Sequence, residues 1–293
     1  MKYLLNHQTR YSYSEPVSLC HNQAFILPRE TEYQQCLSQD LTIHPKPTIQ
    51  SLREDFFGNH IVYFSIDHPH RELSVAATSE IEIQADIHRL GGDSPCWENV
   101  RDHLHEVRSD ENLDAKQYLY DSPLISADEI LREFALTVFD PGKPIVEAGD
   151  ELMGKIYSDF VYDPNFTTIS TPLAEVLEHK RGVCQDFAHL AIGCLRSLGL
   201  PARYVSGYIE TLPAPGEEKL EGSDASHAWF SVYVPSLGWV DFDPTNNKIP
   251  HDQHITTAWG RDFSDVSPLK GVIFGGGKNQ LEVKVDVKRL DVE

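Results

Sequence analysis

Apolar and polar positions give this chain two textures. From Tyr3 to Ile83 apolar residues alternate with polar ones in short runs, a period of two that predicts strands. Tyr3 to Tyr13 reads as a first strand pair or one long strand. Leu37 to Pro45 follows, stopped by Pro45 and Pro47. Phe57-Gly58-Asn59 is a turn, and Ile61–Ile66 and Leu73–Ile83 are strands joined through Asp67-His68-Pro69-His70. Residues 1–85 are therefore expected to form an all-β companion domain of β-sandwich-like build. Residues 86–145 read as a polar, surface-bound connection. Gly91-Gly92 and Pro95 interrupt it, and Cys96–His105 and Ser126–Val138 can be helical, Ser126 and Glu129 forming a candidate capping box. Glu147–Val161 is a firmer helix with Leu152, Ile156, Phe160 and Val161 on one face. Thr171 is placed to cap a short helix, Leu173–His179.

The period of 3.6 is clearest after Cys184. Phe187, Leu190, Ala191, Cys194, Leu195 and Leu198 fall on one helical face, and Gly199 and Pro201 end the helix. Gly182, just ahead of it, would tolerate an unusual backbone angle. A buried strand, Ala202–Ile209, comes next, then a Pro-, Gly- and Glu-rich loop, 211–225, read as a surface excursion or a lid. A hairpin follows. If Pro235 to Gly238 forms its turn, Val234 pairs with Trp239 and His227 with Asn246. Asp243 then lies about 10 Å along the strand from the position facing His227, a gap for a bulge, shear or curled entry to close. The last segment, 251–293, ends in a clean alternating strand, Leu281–Val287, after Gly275-Gly276-Gly277.

Composition narrows the functional classes. A chain of 293 residues with 40% hydrophobic and 24% charged residues suggests about two globular domains. The net charge of −20 gives no basic footprint for nucleic acid and would be repelled by anionic membranes. No apolar run approaches about 18 residues, and the first residues do not read as a secretory leader. Five scattered cysteines do not form a disulfide framework, so a cytoplasmic location is expected. His68/His70 and His103/His105 lack further ligands at metal spacing, and no CxxC, nucleotide, flavin or calcium-loop motif occurs. No metal or cofactor is expected.

The candidate chemistry begins at Cys184. At a helix N-terminus the unpaired N–H groups and the dipole favour a thiolate, the nucleophilic form. Free cysteines are more often inert core residues, and Cys194, mid-helix on the apolar face, reads as one. A cysteine nucleophile needs a base and a group to orient that base. His227 and then Asp243 or Asn246 are available in order, with Asp241 farther away.

GVCQDFAHL, SHAWFSVYV and GWVDFDPTNN together resemble the core of the transglutaminase-like superfamily of cysteine enzymes. The resemblance implies an α+β fold with a papain-like core over 146–250, a helix bearing the cysteine packed on an antiparallel sheet bearing His and Asp. It implies Cys184 as nucleophile, His227 as base and Asp243 as orienter, Asn246 remaining the alternative. Leu27-Pro28-Arg29, Asp55–Asn59 and Pro69–Leu73 are similar to the N-terminal region of bacterial members, and Thr256–Pro268 to their C-terminal extension. In the superfamily an aromatic upstream of the cysteine can help bind the oxyanion. Tyr162 stands there, although a core position is expected for it. Gln185 and Trp229 are weaker oxyanion or substrate candidates, while Trp259 and Asp265 are expected to anchor a packed extension rather than line a cleft. The expected activity is hydrolysis of a peptide or protein amide through a thioester. The alternatives are a calcium-independent transglutaminase and a non-catalytic binding protein, which would be expected to have a damaged triad.

Overall fold

The computed structural model describes residues 1–84, 94–211, 224–235 and 237–290. Most of the 211–225 loop, Gly91-Gly92 and Ser236 lie outside the described residues.

The first strands are β1 (Lys2–Ala24), β2 (Gln34–His44), β3 (Ile49–Glu54), β4 (His60–Ile66) and β5 (His70–Ile83). β1 is one strand of 23 residues. β3 is not legible in the sequence because all six of its residues are exposed or half-buried, so no apolar alternation marks it. Four helices follow: α1 (Trp97–Glu106), α2 (Asp110–Lys116), α3 (Glu129–Ala135) and α4 (Ile145–Asp159). β6 (Val161–Tyr162), α5 (Leu173–His179), β7 (Arg181–Gly182) and α6 (Cys184–Ser197) lead into β8 (Ala202–Ile209), β9 (Ser226–Val234), β10 (Gly238–Phe242) and β11 (His254–Gly260). The described chain closes with α7 (Phe263–Val266), β12 (Leu269–Gly275) and β13 (Asn279–Leu290).

The companion unit is one seven-stranded sheet, in the order β2-β5-β1-β4-β3 with β12 and β13 also paired to β1. β1 is its spine. Lys2–Tyr13 pairs with β13, and Val17–Ala24 with β12. Between them Gly275, Gly276 and Gly277 all take positive φ, which only glycine adopts freely. A Cβ on Gly275 would come within 2.6 Å of the Pro16 carbonyl, so the triple glycine is where the returning strand kinks past β1. Val17, Cys20, Phe64, Ile66, Leu73 and Val75 bury the sheet's apolar side.

The second sheet is antiparallel, in the order β10-β9-β8-β11. The 251–293 segment is thus divided: β11 completes this sheet, while β12 and β13 complete the companion. α6 lies on the four-stranded sheet, with Leu190, Ala191, Cys194 and Leu195 wholly buried against it. Cys194 is core, as its helical position predicts. Over its described residues, 94–145, the connection is not a surface strap. Trp97, Val100, Leu104, Leu131 and Phe139 enter the same core, each from a stretch whose polar neighbours mask it. The cap of α3 is Asp128, which accepts from the Leu131 N–H at 2.9 Å, while Ser126 bonds Asp121 instead. Likewise Pro172 occupies the cap position of α5, and Thr171 accepts from the Thr168 N–H. Tyr208 and Ile255 of the four-stranded sheet join Tyr3, Leu5, Val285 and Val287 in a small shared core. Among the described residues no helix is long and apolar enough to cross a membrane.

Candidate active site

Cys184 is the first residue of α6 and is half-buried. The helix start is tied by Asp186, whose Oδ2 accepts from the Val183 N–H at 2.8 Å and the Thr167 hydroxyl at 2.6 Å. Burial pushes the Asp186 carboxyl up, against the pull of those two hydrogen bonds. Gly182 is needed for room, not for backbone angle. It is not among the positive-φ glycines, but a Cβ there would lie 2.8 Å from Asp186 Oδ2. The short parallel pair β6–β7 sets Tyr162 beside Gly182, just ahead of the thiol-bearing residue.

The hairpin is tighter by one residue than a Val234–Trp239 pairing. Val234 faces Gly238, and Phe230 faces Phe242. A slip of one residue exchanges the faces of a strand. In the observed register Asp241 and Asp243 share a face with His227 and Trp229, whereas the looser register would turn Asp243 away. Asp243 is then a diagonal neighbour of His227, within side-chain reach without a bulge. Its carboxylate meets His227 Nε2 at 2.7 Å.

Asp243 is fully buried and collects donors. Oδ2 also accepts from His254 Nε2 at 2.9 Å and Asn246 Nδ2 at 2.7 Å; Oδ1 accepts from the backbone N–H groups of Thr245 and Asn246 at 3.0 and 3.3 Å. Burial opposes its charge, but the hydrogen bonds from His227 and His254 outweigh burial and hold the carboxyl far below the usual range. For His227 burial acts downward, yet the hydrogen bonds to Asp243 and to the Cys184 sulfur, with the negative charge of both partners, push it up to about 10. With Nε2 engaged by Asp243, Nδ1 is the ring nitrogen left for sulfur. His254, with no thiol beside it, is lowered by burial despite the same carboxylate.

Asn246 is exposed and lies 3.3 Å from His227 Nε2 while bonding Asp243, so it braces the carboxylate rather than replacing it. Tyr162 is not a core residue. It is 54% exposed, and its phenol is raised by burial and by the nearby Cys184 and Asp186. Two adjacent exposed strand residues, Val161 and Tyr162, explain why a burial expectation fails there. Gln185 turns to the Ile169 carbonyl at 3.3 Å. Trp229 is wholly buried, with its indole N–H on Asp241 at 3.2 Å and its ring edge-on to His254. Asp265 pairs with Arg261, and Trp259 is stacked between Arg29 and Arg203. Trp259 does line a cavity of about 910 Å³, between Gln34 and Phe57 of the companion unit and Trp239 and His254 of the four-stranded sheet. Cys184 is not part of that cavity.

Sequence reasoning misses His254 because no motif frames it. The one signal is its place at the start of a strand, eleven residues beyond the aspartate. His227, Asp243 and His254 also place three ligand atoms within 4.8 Å, the one such group among the described residues. The Nε2···Oδ2 distances of 2.7 and 2.9 Å are hydrogen-bond lengths. Ligands of a tetrahedral zinc stand about 3.3 Å apart, so the set fits shared protons better than a metal.

Residues 3–82 match the bacterial transglutaminase-like N-terminal region, and residues 132–244 match the transglutaminase-like superfamily core. A Mycobacterium tuberculosis protein is 38% identical over 98% of this chain and 92% of its own length. A Pseudomonas aeruginosa protein-glutamine gamma-glutamyltransferase is 30% identical over 41% of this chain and 20% of its own length. The crystal structure of a candidate cysteine protease from Cytophaga hutchinsonii superposes with a TM-score of 0.78 at 21% identity, covering 100% of this chain and 92% of that one. Two consecutive matches, a relative similar over nearly its whole length and a shared fold lead to one assignment: this chain belongs to the transglutaminase-like superfamily of cysteine-dependent enzymes, with the bacterial N-terminal region ahead of its core.

Proposed function

We propose that the protein is a cysteine hydrolase that cleaves amide or peptide bonds through a thioester on Cys184. The observation that carries this reading is the continuous chain Cys184–His227–Asp243, with the His227 imidazole bonded to both the thiol and a buried carboxylate. His227 holds its proton up to about 10, so the proton of Cys184 already rests on His227 Nδ1 when Sγ attacks the carbonyl carbon. The Cys184 backbone N–H at the helix start, with the Tyr162 hydroxyl as a second donor, receives the developing oxyanion. His227 then gives its proton to the leaving amine. In the second half it takes a proton from water, which attacks the thioester and frees the acid and the thiol. Asp243 holds one tautomer and stabilises the imidazolium. Water is favoured as acceptor by the access of solvent to the site: Cys184 is only partly buried and Tyr162 beside it is 54% exposed. An intact constellation favours an enzyme over a binding protein.

Amine transfer is the second reading, supported by the partial similarity to the Pseudomonas glutamyltransferase. Glutamine and amide peptides incubated with millimolar primary amine and without calcium, followed by mass spectrometry, separate the two. Free acid as the main product is expected. A dominant amine adduct makes this a calcium-independent transglutaminase.

A further inference from the structure

We propose that His254 is a positioning residue of this site, holding the Asp243 carboxylate in its His227-facing orientation through a second hydrogen bond to the oxygen that His227 uses. This role deepens the proposed reaction and rests on it. His254 comes from β11, beyond the matched core at residue 244, so the core pattern does not include it.

Four facts set His254 apart from an ordinary core histidine. It is 8% exposed, and its Nε2 lies 2.9 Å from Asp243 Oδ2. Its Nδ1 is buried with no hydrogen-bond partner, so among the described residues Asp243 is the one hydrogen-bond partner of its side chain. Its ring plane is set by Trp229, edge-on at 5.1 Å and 79°. Trp229 is in turn fixed by its indole bond to Asp241. Buried His70 also has one bare ring nitrogen, so what marks His254 is that its other nitrogen meets a buried carboxylate. Here the Nε2–H donates to a carboxylate that has no access to water, which fixes the proton on Nε2.

The titratable groups facing His254 are His227 from β9 and Asp241 and Asp243 from β10 and the turn after it; those facing His227 add Cys184 from α6. With the His254 donor removed, Asp243 Oδ2 keeps only His227 and the exposed Asn246. A buried carboxylate short of a donor binds a proton more readily, and it then ceases to support the imidazolium of His227.

The test compares His254→Phe, which keeps a ring but no donor, with His254→Gln, whose amide N–H can reach the same oxygen. Two readouts need no substrate: the ¹⁵N titration of His227 and the pH profile of Cys184 alkylation by iodoacetamide. In His254→Phe the His227 midpoint should fall and the alkylation profile should move with it. Turnover on whichever amide the wild type cleaves should fall at least about tenfold in kcat with KM little changed. His254→Gln should recover most of each. An unmoved His227 midpoint in a folded His254→Phe, or no recovery in a folded His254→Gln, overturns the proposal. So does loss of wild-type activity on chelator treatment that zinc restores, since the trio would then be a metal site. If the wild type cleaves no amide at all, the reaction assignment fails while the two substrate-free readouts still decide the role of His254.

Discussion

The two sheets bury polar groups on different terms. The seven-stranded sheet buries apolar side chains such as Val17, Cys20, Phe64, Ile66 and Val75, and the polar ones it buries, among them His7, Thr9, Asn22, Ser65 and His70, include no carboxylate among the described residues. The four-stranded sheet and the turn beside it bury His227, Asp243 and His254 within one small area. Buried charge of this kind costs stability unless every lone pair has a donor, and Asp243 has five. The difference teaches where substitutions should act: chemistry fails in one sheet and folding in the other.

That division can be broken experimentally. Cys184→Ala should leave the fold intact by circular dichroism while lowering turnover on the order of 10⁶-fold. Asp243→Ala should lower turnover by about 10⁴-fold; a mild effect, with Asn246→Ala damaging instead, would move the orienting role to Asn246. Phe64→Ala, in the other sheet, should destabilise by about 3–5 kcal/mol in urea unfolding and leave kcat of the folded fraction unchanged. A loss of kcat there would tie the sheets together functionally. The fourth test uses pH. The folded protein holds the His227 proton up to about 10, against an ordinary value of 6.5. The stability this confers is full below 6.5 and is lost as pH rises through about 10. Thermal midpoints should fall across that window in the wild type, and the fall should shrink in Asp243→Asn. The smallest effect is expected from Asp241→Ala, within about tenfold in turnover, because Asp241 meets Trp229 and not His227.

Much of the candidate site is legible in the amino-acid sequence. Cys184 announces itself by opening a helix whose apolar face is unmistakable, and the paired motifs around His227 and Asp243 point to its partners. What the sequence hides is register. Val234 facing Gly238 or Trp239 is a choice of one residue at a turn, and it decides whether Asp243 faces His227 or turns away. Tyr162 is misread because aromatic character does not report exposure in a two-residue strand. His254 is invisible because its partner is eleven residues away across an intervening turn and no spacing rule connects them. β3 and the buried part of 86–145 escape for opposite reasons: one strand has no buried face, and the short helices carry their apolar residues too sparsely to show a period.

The spine strand β1 has a consequence for the order in which the molecule can assemble. Lys2 pairs with Leu290 on one edge of β1, so that edge waits for β13 although β4 and β5 pair with β1 sooner. Contacts of such separation are slow to form because closing so long a loop comes before any gain from it. The helix that presents Cys184 and the hairpin that presents His227 lie much closer together in the chain, with β8 between them. Pulse-labelled hydrogen exchange during refolding should therefore protect β8 and β9 amides before those of β13 and of the β1 edge that faces it. The candidate site would be built early, and the companion sheet would be completed only after β13 was free to return to β1.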